Sequence, residues 1–147
     1  MNQSLISLLV LLLFQINTAL SQSCNLVFYC NEGERFTVIL NGVRQNPAPE
    51  TNIKITNLVQ PYYKAKILFE NNKLTPIEKT INFNPGTETV FAVKLNNKGV
   101  YVLRWQSETP LAQAPPPSPE QTVIIFTTVA PPPIQSSTTI STTTTTV

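Results

Sequence analysis

"FAVKLNNKGVYVLRW", residues 91–105, decides how this chain is read. Phe91, Val93 and Leu95 alternate with Ala92 and Lys94. Asn96-Asn97-Lys98-Gly99 then breaks the run, and Tyr101, Leu103 and Trp105 alternate with Val102 and Arg104. A period of two puts every second side chain on one face of an extended strand, and an Asn/Gly-rich break between two such runs is hairpin chemistry. The reading is two antiparallel strands, with Phe91, Val93, Leu95, Tyr101, Leu103 and Trp105 facing inward.

Moving outward from this hairpin, the same period recurs in five earlier stretches, residues 25–30, 36–41, 52–58, 62–70 and 77–84. Their inward sets are Phe36, Val38 and Leu40 in the second, Ile53 and Ile55 in the third, Tyr63, Ala65, Ile67 and Phe69 in the fourth, and Ile81 and Phe83 in the fifth. Asn31-Glu32-Gly33-Glu34, Gln60-Pro61 and Asn84-Pro85-Gly86 punctuate them with turn residues. No window carries helical periodicity. Seven short strands with one apolar face each close a core by stacking two sheets. The predicted fold class is all-β: an immunoglobulin-like β-sandwich of about seven antiparallel strands over residues 24–108. A small barrel is the alternative.

The longest interruption, "LNGVRQNPAPETNIKI" at residues 40–55, reads as a connection rather than a ligand loop. Gly42 takes the positive φ of a tight turn after Asn41, and Pro47 and Pro49 cannot donate to a ladder, so the segment crosses at a sheet edge. The competing reading, an anion loop around Arg44, lacks the glycine spacing and the following helix of a phosphate cradle.

At the N-terminus, Leu5 to Phe14 is an apolar run of about ten residues broken only by Ser7, too short for a stable span. The small residues Ala19 and Ser21 follow, so residues 1–21 are expected to be a signal peptide cut between Ser21 and Gln22. A retained anchor is the second reading. Lipidation of Cys24 would want an aliphatic residue three positions upstream, where Ser21 stands. The expected address is secreted, or periplasmic and envelope-associated, with no stable membrane span after cleavage.

Absent residues exclude whole chemistries. The chain has neither His nor Asp, so no Ser-His-Asp or Cys-His arrangement can be assembled, and two Cys are too few for a zinc site without imidazoles. Asp-rich calcium loops are missing too. A pair of Glu could serve a glycosidase, yet the seven Glu between Cys24 and Glu108 fall at turns or at outward strand positions, the ordinary place for solvated acids. The expectation is no enzyme, no cofactor and no metal. All ten Lys and Arg lie between Arg35 and Arg104, and ten minus the seven Glu leaves +3 for residues 24–108. That is too mild for a nucleic-acid surface.

Cys24 and Cys30 are the only candidates for a disulfide in a secreted chain. On one extended strand they stand about 20 Å apart, beyond the roughly 7 Å that a bridge tolerates, and no turn residue lies between them. Tyr62, Tyr63 and Trp105 are the side chains that stack on sugars. Alternation sends Tyr63 and Trp105 inward and leaves Tyr62 as the exposed platform. Lys54, Lys64 and Lys66 all face outward by the same rule. If the third and fourth strands pair, they form a basic patch for anionic glycans or lipid headgroups, against the plainer reading of a solubilising face.

From Thr109 onward the only charge is Glu120, and the chain turns to Pro and Thr runs expected to form a disordered tail over residues 109–147. Pro115 to Pro119 favours a stiff polyproline spacer. "TVIIFTTV", residues 122–129, is β-prone and flanked by prolines; it reads as a sticky linker segment or as a strand added to the domain or to a partner. The Thr tract at residues 138–146 suits O-linked sugars.

"FTVILNGVRQNPAPETNIKITNLVQPYYKAKILFEN" followed by "NNKGVYVLRW" resembles the N-terminal domain of secreted, uncharacterised Bacteroidota proteins, in which a Pro/Thr-rich linker leads to a C-terminal domain of unknown function. The resemblance covers residues 25–117 and extends to "PLAQAPPPSP" and the Thr tract. It implies no activity. Val147 falls inside what resembles the linker, so the expectation is a truncated gene model or a lost second domain. The function read from sequence is a secreted, non-catalytic binding or spacer module. Its alternatives are a carbohydrate-binding module and a fragment whose activity resides in the missing C-terminal domain. Its partner would be a glycan or another envelope protein.

Overall fold

The structure is a computed structural model and describes residues 22–134. The expected signal peptide with its cleavage site, and the Thr tract at 138–146, lie outside the described residues. Nine strands follow in chain order: β1 Cys24–Tyr29, β2 Phe36–Leu40, β3 Val43–Arg44, β4 Asn52–Leu58, β5 Tyr62–Phe69, β6 Ile77–Asn82, β7 Thr87–Leu95, β8 Tyr101–Pro110 and β9 Thr122–Ile125. A single 3-10 turn, Leu111–Gln113, follows β8. Among the described residues no helix is long and apolar enough to cross a membrane.

The strands form two layers. One sheet runs in the order β8-β7-β1-β4-β9 and the other β3-β2-β5-β6. The hairpin of residues 91–105 is β7 and β8, paired from Leu95↔Tyr101 inward, with Asn96 Oδ1 accepting from the backbone N–H of Lys98 and Val100 inside its turn. Alternation assigns the core correctly in most strands: Phe36, Val38 and Leu40 of β2, Ile53 and Ile55 of β4, and Tyr63, Ala65, Ile67 and Phe69 of β5 are all buried. Phe28 stacks on Phe91 at 6.0 Å, and Tyr63 on Phe83 at 5.9 Å, each pair adding about 1 kcal/mol beyond its buried area. The Tyr63 hydroxyl accepts from the backbone N–H of Val59 and Gln60, so its burial leaves no polar atom unpaired.

Two expectations about the sheets are corrected. Not every pairing is antiparallel, because β1 runs parallel to β7 and β9 parallel to β4. β1 lies between β4 and β7, antiparallel to the first and parallel to the second. Residues 109–134 are also no loose tail. β8 continues through Pro110, the Pro-rich stretch crosses the outer face of the five-stranded sheet, and β9 extends that sheet beyond β4. β-branched Thr109 continues β8, and residues 122–125 take the second of their two readings, a strand added to the domain, with Ile124 and Phe126 packed against the core.

The interruption at residues 40–55 is a connection, as expected. Asn41 and Gly42 take φ of 48° and 82°, the two-residue turn that joins β2 to β3. Beyond β3, prolines cannot complete the edge of β2, and a side chain does so instead. Asn46 Oδ1 accepts from Val38 N–H at 2.8 Å, and its Nδ2 donates to the carbonyls of Phe36 and Ala48 at 3.1 and 2.6 Å.

Candidate functional site

β5 carries the site because strict alternation leaves Tyr62, Lys64 and Lys66 outward while Tyr63, Ala65 and Ile67 fill the core. Its antiparallel partner β6 sets Asn82 opposite Tyr62, Thr80 opposite Lys64 and Glu78 opposite Lys66. On the other side Ile39 of β2 lies opposite Lys66. Lys64, Lys66, Glu78 and Thr80 line an open groove of about 370 Å³ on the outer face of the four-stranded sheet, with Ile39 and Gly42 along one side; Tyr62 and Asn82 are not part of its lining. Lys66 Nζ lies 2.9 Å from Glu78 Oε1. Its hydrogen bond and positive charge hold the Glu78 carboxyl below the usual carboxylate range. Among the described residues Lys64 has no carboxylate in ion-pair range, so it is the cation left for a ligand. Tyr62, 53% exposed, stands at the end of the same row.

Lys54 does not join them, which corrects the expected three-lysine patch. β4 pairs with β1 and β9 rather than with β5, so Lys54 belongs to the other sheet. It does point away from the core, but the Pro-rich crossover covers it. Its Nζ lies 2.6 Å from Glu88 Oε2 and donates to the Pro115 carbonyl at 3.4 Å, and Asn25 Nδ2 donates to the same Glu88 oxygen at 3.1 Å. Glu88 is buried as well, so the reading of all seven acids as solvated fails at this position. A lysine whose neighbours Ile53 and Ile55 are core carries no sequence signal that a later segment will cover it.

Trp105 is corrected in the opposite sense. It lies opposite Phe91 and so points to the inward side, yet it is 59% exposed. Gln106 is an extra residue in β8 at this level, which interrupts the ladder beside Trp105 on an edge strand. Leu95, also inward by alternation, ends up exposed at the rim. Beside this rim Lys79 of β6 points inward, its Nζ 5.9 Å from the Phe91 ring centroid and donating to the Leu103 carbonyl at 3.5 Å.

Cys24 and Cys30 are free thiols, both buried at opposite ends of β1, so the candidate disulfide is not formed. Cys24 Sγ donates to the Asn84 carbonyl, and burial pushes the Cys30 thiol up from its ordinary value. Among the described residues no group of three or more Cys or Glu converges as metal ligands do. No family model, no curated protein and no solved structure matches the chain.

Proposed function

We propose that the chain is a secreted, non-catalytic binding module that holds an acidic glycan on the outer face of its four-stranded sheet. The observation that carries this reading is the outward row Tyr62, Lys64 and Lys66 of β5, set beside Asn82 and Thr80 of β6, with Lys64, Lys66 and Thr80 lining an open groove and the Tyr62–Asn82 pair following on the same two strands. An exposed aromatic ring offers a stacking face to a sugar, the Thr80 hydroxyl and Asn82 amide are suited to sugar hydroxyls, and the unpaired Lys64 meets a carboxylate or sulfate. Secretion is supported by the leader-like residues 1–21. The missing His and Asp speak against catalysis.

The build is immunoglobulin-like in stacking two β-sheets around one core. Its sorting of strands 1, 4, 7, 8 and 9 against 2, 3, 5 and 6 is its own, since an immunoglobulin constant domain groups its first, second, fourth and fifth strands.

A glycan array containing uronic-acid and sulfated oligosaccharides tests the function. Binding is expected to weaken at least tenfold in Tyr62→Ala and to lose most of its salt dependence in Lys64→Ala, while Lys54→Arg leaves it unchanged. A blank array, or binding that ignores Tyr62, ends the proposal.

A further inference from the structure

The segment after the Pro-rich crossover is held the way a peptide ligand is held. β9 lies parallel to β4 from Ile53↔Thr122 to Thr56↔Ile125, and Phe126 N–H donates to the Thr56 carbonyl at 2.9 Å. Past the end of β9, the Gln45 amide takes over as a strand would: its Oε1 accepts from Thr127 N–H and its Nε2 donates to the Thr127 carbonyl, both at 3.0 Å. Phe126 meets the buried Tyr63 ring edge-on at 5.1 Å. The acceptor is thus built mainly from residues 45–63 and the donor from residues 121–127, with Arg44 Nη2 also donating to the Pro131 carbonyl just beyond. Only the crossover joins them.

Covalent attachment adds no contact to this recognition. Gln45 is 1% exposed and finds its far partner only in the donor backbone, so the acceptor is incomplete without some strand in place. From the end of β8 the chain must cross three strands and step back about five residues, a diagonal on the order of 25 Å at about 4.8 Å between strands and 3.3 Å along them. Residues 111–121 begin with the 3-10 turn and would reach roughly 34 Å if drawn out fully at about 3.1 Å per residue. The same reach can carry β9 to a neighbouring molecule.

We propose that the free edge of β4, with Gln45 and Tyr63, is a strand-acceptor site whose partner is residues 121–127 of a second copy of this chain, so that two copies join by reciprocal exchange of β9. Exchange of an identical element replaces each contact by its twin and costs little beyond association. The attached strand competes at an effective concentration in the millimolar range. Exchange therefore emerges when the chain is refolded at high concentration.

The test refolds the full chain at a few micromolar and near millimolar, and reads mass by light scattering on a sizing column. A dimer fraction that grows with refolding concentration and persists on dilution is expected, and monomer at every concentration overturns the proposal. Dimer that survives in Phe126→Ser overturns it too, because contact elsewhere would not need that ring. A labelled peptide spanning residues 120–130 is the second probe. It is expected to bind Phe126→Ser at least tenfold more tightly than the unmutated chain, whose acceptor is filled. Should Phe126→Ser fail to fold, amide shifts of Gln45 and Thr56 in the unmutated chain, read with peptide in several-fold excess over the roughly millimolar effective concentration of the attached strand, take its place, and unmoved shifts reject the idea.

Discussion

Single residues in this chain matter most where a polar group is covered. Lys54 and Glu88 pair at 2.6 Å with both side chains under 10% exposed, so removing one partner strands the other as a buried charge. Lys54→Met is expected to cost about 3–5 kcal/mol in urea denaturation, and Lys54→Met with Glu88→Leu to recover most of that loss. A single substitution no worse than the double would mean that the pair is hydrated. Asn46 is a neutral counterpart, fully buried and bonded to three backbone groups of β2 and the following loop. Asn46→Leu leaves the Val38 N–H unpaired, with an expected cost of about 1–3 kcal/mol by the same measurement. The two cysteines test burial directly. Because burial raises the Cys30 thiol, its thiolate is scarce at pH 8. A thiol reagent is expected to find neither cysteine in the native protein and both in denaturant. The pairs themselves were not legible in the sequence: nothing near Lys54 names Glu88, 34 positions away, and nothing near Asn46 names Val38.

Elements are where the sequence reading was strongest and where its limits are easiest to explain. Alternation identified β2 and β5 because each has one face on the core and one open to solvent, the condition under which period two is visible; it identified the β7–β8 hairpin although Glu88 and Ala92 on the outer side of β7 are buried. β3 is two residues long, too short to show a period. β9 has Val123 and Ile125 exposed and Ile124 partly covered, so the run is apolar on both faces and the period vanishes. The four sheet edges, β3, β6, β8 and β9, are each blunted by a different device. β3 is short, β6 turns Lys79 inward, β8 has its extra residue at Gln106, and prolines flank β9. Lys79→Val removes the charge from one of these edges and frees the Leu103 carbonyl on another. It is expected to raise thermal stability slightly or not at all, and to increase aggregation measured by light scattering on heating. A variant that stays monomeric at high concentration would show that the inward lysine protects nothing.

At the scale of the whole molecule the domain ends later than its composition suggests. The charge-poor stretch beginning at Thr109 reads as a linker because polar and Pro-rich residues cannot form a core of their own, but they need not do so when a finished sheet lies beneath them. Truncation after Gln121 removes the Thr127 partner of Gln45 and uncovers Tyr63 where Phe126 lay. The expected loss is about 3 kcal/mol, from the unpaired amide and the lost apolar burial, or on the order of 10 °C or more in Tm. An unchanged melting curve would return residues 122–134 to the status of a linker. The candidate site was partly legible, since Tyr62, Lys64 and Lys66 share one strand and their common face follows from period two alone. Lys54 and Trp105 failed for one shared reason. The sequence by itself determined the strands, their turns and the side of the ribbon from which each side chain leaves, because backbone geometry within a strand fixes alternation. Only the tertiary structure decided which strands became neighbours and what lay over each face, since cover comes from residues distant in the chain. Thus Lys54 points outward and is buried under Pro115, while Trp105 points inward and meets water.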